Sequence, residues 1–120
     1  MIVAPAVLLV EDNVLVLDLL TEVVGDLGYR AVETTDGTEA MAAMESGEFD
    51  LLVTDQRLPG AYSGGDLATH FRRLFPVAGI LLTSGAPMLD DLSPTGISFL
   101  QKPFTVAMLK EALAREFADT

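Results

Sequence analysis

Cysteine and tryptophan are absent from this sequence of 120 residues, and bases are scarce: Lys and Arg total 7 against 18 Asp and Glu, with a single His. Without Cys there is no disulfide framework, no thiolate metal site and no thiol nucleophile. That suits a reducing compartment, and the chain is expected to be cytoplasmic. A formal net charge of -11 leaves no basic footprint for a phosphate backbone, which argues against direct binding of nucleic acid and against contact with anionic membrane surfaces. The same charge favours a cationic partner surface or bound metal cations, although acidity also simply keeps a domain soluble. No apolar run approaches the roughly 20 residues that span a bilayer, and the opening "MIVAPAV" lacks the basic region and length of a signal peptide. Half of the residues are hydrophobic, enough for one core, so a single domain over 1–120 is expected.

Short apolar runs occur at 7–10, 51–54, 80–83 and 97–100, with a weaker one at 30–34. Runs of this length, buried on both faces, are the pattern of parallel strands. Segments with helical spacing lie between them. The first, about 14–27, follows Asp12 or Asn13 as N-cap and stops at Gly28. Others cover about 38–46, 65–74 and, after Thr105, 105–118, where Val106, Leu109, Leu113 and Phe117 form one stripe. The fourth in order, near 88–92, is pinched between Pro87 and Pro94 and is expected to be short. Strand then helix, five times over, predicts an α/β fold: a flavodoxin-like, doubly wound, five-stranded parallel sheet of order 2-1-3-4-5, with helices on both faces and helix 4 short.

In such sheets ligands bind beyond the carboxyl ends of the strands, where the strand order reverses. Here that point lies between strands 1 and 3. Glu11 and Asp12 follow the first, in "LLVEDN", and Asp55 follows the third, in "LLVTDQRLPG". Three converging carboxylates need protonation or a cation. An all-oxygen donor set suits a hard ion, and Mg²⁺ is the natural choice. Strand 4, ending in Thr83-Ser84-Gly85, brings a hydroxyl to the same edge and strand 5 brings Lys102, both suited to a phosphoryl group. Taken singly, each residue has a plainer reading. Asp12 or Asn13 is a helix cap, Asp55 a turn former, Ser84 plain loop and Lys102 a surface lysine. Those readings do not explain why all five groups end strands on one edge. His70, on the predicted third helix, reads as a surface residue.

The set "LLVEDN", "LLVTDQRLPG", "LLTSG" and "FLQKPF" resembles the receiver domain of two-component response regulators over essentially the whole chain. It is most like receivers of hybrid histidine kinases or their stand-alone relatives. The resemblance implies that Asp55 is the phosphoacceptor, taking phosphate from a phosphohistidine on a histidine kinase or histidine phosphotransfer protein. It implies that Glu11, Asp12, Asp55 and the backbone carbonyl of Arg57 hold Mg²⁺. Ser84 and Lys102 would meet the phosphoryl oxygens, and Phe99 would be the aromatic that turns with Ser84 when the domain switches. Val14, Leu15 and Leu17, which fall partly off the core stripe of the first helix beside the acids, are expected to form a docking patch for the partner, with Pro103 and Phe104.

The short fourth helix departs from the family pattern; in the family the face it helps to form is often a dimer surface, so a stunted helix 4 puts that dimerisation in doubt and a monomer is expected. The competing readings are a phosphorylation-independent scaffold, an aspartate-nucleophile phosphohydrolase and a flavin module. The intact acids, Ser84 and Lys102 argue against the first. A phosphohydrolase wants a second acid two residues after the nucleophile, where Arg57 stands. A flavin module wants a phosphate-binding loop where "EDN" would repel phosphate.

Overall fold

The computed structural model describes residues 3–87 and 96–117. Along the chain run β1 (Ala6–Val10), α1 (Val14–Asp26), β2 (Arg30–Thr34), α2 (Gly37–Ser46), β3 (Leu51–Asp55), α3 (Gly64–Leu74), β4 (Gly79–Ser84), β5 (Ile97–Gln101) and α4 (Val106–Phe117). The five strands are parallel and ordered β2-β1-β3-β4-β5, the doubly wound arrangement the sequence predicts. The helix expected near 88–92 lies outside the described residues.

Side-chain alternation divides the interior. Val7 and Leu9 of β1, with Leu51 and Val53 of β3, face the cluster built on Leu17, Leu20 and Val24 of α1 and Leu109 and Leu113 of α4. Leu8 and Val10, with Leu52 of β3 and Ile80 of β4, face Ala40 and Met44 of α2 and Leu67 and Phe71 of α3. Each fully buried Leu or Phe in these layers contributes about 1.5–3 kcal/mol. β1 is buried along its whole length, which is why it reads as an unbroken apolar run. β2 is a sheet edge and mostly exposed, which is why its sequence signal is weak.

Local chemistry sets the helix limits. The Asn13 side chain accepts from the amides of Leu15 and Val16, which identifies it rather than Asp12 as the cap of α1. α3 begins with a capping box, in which Ser63 Oγ accepts from Asp66 N and Asp66 Oδ2 accepts from Ser63 N. Thr105 Oγ1 accepts from the amide of Met108 at the start of α4.

Candidate functional site

β1, β3 and β4 end side by side. Glu11 lies one residue past β1, Asp55 closes β3, and Ser84 closes β4. Glu11 is 1% exposed and Asp55 8%. A carboxylate buried this deeply is costly unless it is paired and hydrogen-bonded. Lys102, just past β5, supplies the pairing: its Nζ donates to Glu11 Oε1 at 2.5 Å and to Asp55 Oδ2 at 3.0 Å. The remaining oxygens accept backbone amides. Glu11 Oε2 accepts from Asn13 N at 3.0 Å, and Asp55 Oδ1 from Arg57 N at 3.2 Å. One lysine thus holds two acids, and the loops after β1 and β3 fold back onto their own carboxylates.

These surroundings act on the protonation of both partners. Burial pushes the Glu11 carboxyl above its ordinary value, and the Asp55 charge adds to the push. The Lys102 bond and charge and the Asn13 amide oppose it without cancelling it. For Lys102, burial alone would lower the pKa. The bonds to Glu11 and Asp55 and their charges together outweigh it and hold the ammonium above its ordinary value.

Asp12 is exposed at the mouth of the cluster. One carboxylate oxygen from each of Glu11, Asp12 and Asp55 lies within 4.8 Å of the others. Only oxygen is offered, three carboxyl groups stand against the one ammonium, that of Lys102, bonded to two of them, and one of the three acids faces solvent. That donor set fits a hard divalent ion that keeps part of its water shell, as Mg²⁺ does.

The remaining predicted residues fall around this cluster. Ser84 is buried, and its Oγ accepts from Ala86 N at 3.1 Å. The amide of Lys102 donates to the Ser84 carbonyl at 2.8 Å, and the Lys102–Pro103 peptide is cis. Phe99 is half-buried in β5, in register with Leu82. Arg57 is exposed. His70 lies on α3 with Nε2 3.0 Å from Glu45 Oε1 of α2.

The apolar patch needs one correction. Val14 and Leu15 are 63% and 80% exposed, but Leu17 is only 5% exposed and sits in the core with Leu20 and Val24. A helix starting at the Asn13 cap turns 17, 20 and 24 inward together, so Leu17 is a core residue and no part of a docking surface. Val16 and Leu19 instead line, with Gly85, Lys102, Pro103 and Phe104, a groove of about 460 Å³ beside the lysine.

Two supporting residues escape sequence reasoning. Thr34, the last residue of β2, is buried; its Oγ1 donates to the Leu9 carbonyl at 2.7 Å, and its carbonyl accepts the Glu11 amide at 3.1 Å. Nothing in "RAVETT" signals this, because the contact exists only once β2 lies beside β1. Gly64 abuts the end of β3, so closely that a Cβ there would lie 2.3 Å from the Asp55 carbonyl oxygen. The Gly64-Gly65 pair at a helix start was the available signal.

Comparison with known proteins converges on one family. The profile of the response regulator receiver domain matches residues 7–114. The chemotaxis protein CheY of Pseudomonas aeruginosa is 30% identical over 118 residues, which cover 92% of this chain and 94% of that protein. The sensor histidine kinase RcsC of Salmonella typhimurium is 30% identical over 112 residues, 90% of this chain but 12% of the kinase. Among solved structures, a response regulator receiver protein from Sinorhizobium medicae superposes with a TM-score of 0.84 at 28% identity, covering 93% of each chain. The response regulator TrrA from Thermotoga maritima, crystallised in complex with Mg²⁺ and BeF, superposes with a TM-score of 0.82 at 29% identity, covering 94% of this chain and 99% of that one.

Proposed function

This chain belongs to the response regulator receiver family of two-component signalling, and we propose that it is a phosphoacceptor that takes a phosphoryl group onto Asp55 from a phosphohistidine of a kinase or phosphotransfer protein. The observation that carries this reading is the convergence of Asp55, Glu11, Asp12 and Lys102 at one sheet edge. A carboxylate oxygen of Asp55 attacks phosphorus, the new O–P bond forms as the N–P bond to the donor imidazole breaks, and the imidazole leaves with the electron pair. The product is an acyl phosphate.

Glu11, Asp12 and Asp55, with the Arg57 carbonyl, would hold Mg²⁺, which when bound offsets negative charge on the phosphoryl oxygens. The side chains do the positioning. Lys102, already bonded to Asp55, moves its ammonium onto a phosphoryl oxygen as that carboxylate becomes the mixed anhydride. Ser84, buried next to it in the sheet edge, gives up the contact with the Ala86 amide and donates to another phosphoryl oxygen. The space it leaves admits Phe99, a ring without a hydroxyl whose burial strands no polar atom. The donor protein docks on Val14 and Leu15 and over the groove bordered by Pro103 and Phe104. The domain serves as a signalling acceptor rather than as an enzyme with turnover on a separate substrate.

The test is intact mass after incubation with Mg²⁺ and acetyl phosphate, with Asp55→Asn alongside. One phosphate-sized increase that requires Mg²⁺ and disappears in the variant is expected. A folded protein that neither gains mass nor binds Mg²⁺ is a scaffold, and the reading is then wrong.

A further inference from the structure

We infer that Gly64 is a positioning residue for the acceptor site: its missing side chain lets the start of α3 brace the backbone that carries Asp55 and Arg57. The inference rests on the phosphoacceptor reading above. Leaving β3, the chain runs through Gln56 and Arg57, loops out, and returns at Ser63 and Gly64 to begin α3. The return contact is intimate. Gly64 N donates to the Gln56 carbonyl at 3.0 Å, and Gln56 N donates to the Thr83 carbonyl at 2.8 Å. The residue after the acceptor is therefore held between α3 and β4. A Cβ on Gly64 would lie 2.3 Å from the Asp55 carbonyl oxygen and 2.8 Å from Gln56 Cα. Both are backbone atoms of the acceptor strand and its exit, so no flexible side-chain tip can yield, and the backbone itself must move. What moves is the peptide that aims the Asp55 carboxylate and the turn whose Arg57 amide donates to Asp55 Oδ1.

Two neighbouring glycines separate this role from general packing. At Gly65, the next residue on α3, the nearest atom to a Cβ is 3.6 Å away, an ordinary contact. At Gly37, which opens α2, a Cβ would lie 2.6 Å from Tyr62 Cβ, a side-chain atom of the loop between β3 and α3. Gly37 is thus also tightly packed, but against the Tyr62 side chain rather than against the backbone of β3 or its exit. Gly64 is the one of the three whose neighbour is the acceptor strand's backbone.

The experiment compares Gly64→Ala, Gly65→Ala and Gly37→Ala with the parent. For each, Mg²⁺ affinity is read by calorimetric titration, the acetyl phosphate reaction by intact mass, and folding by thermal melting. Gly65→Ala and Gly37→Ala are expected to stay within about twofold of the parent in Mg²⁺ affinity, whatever Gly37→Ala does to the melt, whereas Gly64→Ala weakens it by about 10–100-fold, the range for disturbing groups that orient metal ligands. The Gly64→Ala rate at saturating Mg²⁺ should fall by up to about 100-fold, as a misplacement of about 1 Å can do. A folded Gly64→Ala with parental affinity and rate overturns the inference while leaving the receiver reading intact. A parent that neither binds Mg²⁺ nor accepts phosphate overturns both. Should Gly64→Ala not fold, Ser63→Ala loosens the same brace by removing the α3 cap without adding an atom. A several-fold loss of Mg²⁺ affinity in folded Ser63→Ala then supports the inference, and unchanged affinity overturns it.

Discussion

The two ends of the same sheet are built on opposite terms. At the amino ends of the strands, Ala6 and Leu51 are buried apolar residues. One polar group placed there, Asp50, is exposed while its side chain accepts the Ala6 amide at 2.8 Å and its backbone joins β1 to β4. Among the described residues, no charged side chain at that end is buried. At the carboxyl ends, Glu11 and Asp55 are buried with one shared lysine. That end crowds three carboxyl groups around one bonded lysine, an arrangement that burial makes costly. The difference separates the residues that hold the fold from those that the proposed phosphoryl transfer would use, even though they belong to the same three or four strands.

The separation breaks most visibly under two substitutions. Asp55→Asn should abolish the phosphate mass increase completely while leaving the thermal melt no lower than the parent's, because it removes a buried charge from a crowded site. A lower melt would mean that the acid also holds the fold. Leu51→Ala, at the other end of the same strand, should cost about 2–5 kcal/mol in urea unfolding through the cavity it opens. The remaining folded protein should accept phosphate at the parental rate. A rate change would show that the two ends are coupled through β3.

A smaller effect sharpens the electrostatic half of the comparison. In metal-free protein the Glu11 carboxyl is held above its ordinary value of 4.5. Between that value and its folded one, the folded state binds more protons than the unfolded state, so this contribution to stability is lost as pH rises through the interval. Glu39, held below 4.5 by the Thr35 side chain and amide, acts with the opposite sign: its contribution is lost as pH falls below that value. Urea midpoints measured in chelator from pH 4.5 towards neutrality should therefore carry a declining component that Glu11→Gln removes. An unchanged slope in Glu11→Gln would place the strain elsewhere. The smallest effect on the fold comes from Leu15→Asp, a solvent-exposed change expected to shift stability by no more than about 0.5 kcal/mol. It should slow transfer from a phosphohistidine protein while sparing the acetyl phosphate reaction. Equal rates with the protein donor would remove Leu15 from the docking surface.

Much of this was legible because it is local. The apolar runs that became β1, β3 and β4 are buried on both faces, so their sequence is nearly uninterrupted. The caps at Asn13 and Thr105 and the stop at Gly28, whose φ is 86°, follow from side-chain and backbone chemistry within a few residues. The topology followed from the alternation of strand and helix, and with it the prediction that Glu11, Asp12 and Asp55 share an edge. The phase of α1 was harder. Counting apolar residues in "VLVLDLL" does not say which of them turn inward, and Leu17 changed sides once the Asn13 cap fixed where the helix begins.

By itself, then, the sequence determined the class of fold, the strand order and the inventory of groups at one sheet edge, because periodicity, capping and strand–helix alternation depend on near neighbours. Only the tertiary structure decided how those groups meet. Lys102 bonds Glu11 across 91 residues and Asp55 across 47. Thr34 pins the Glu11 loop from an adjacent strand, and Gly64 presses on the Asp55 backbone from a helix start. None of these contacts has a sequence period, because each arises where separately formed elements pack, and packing fixes distances that local pattern leaves open.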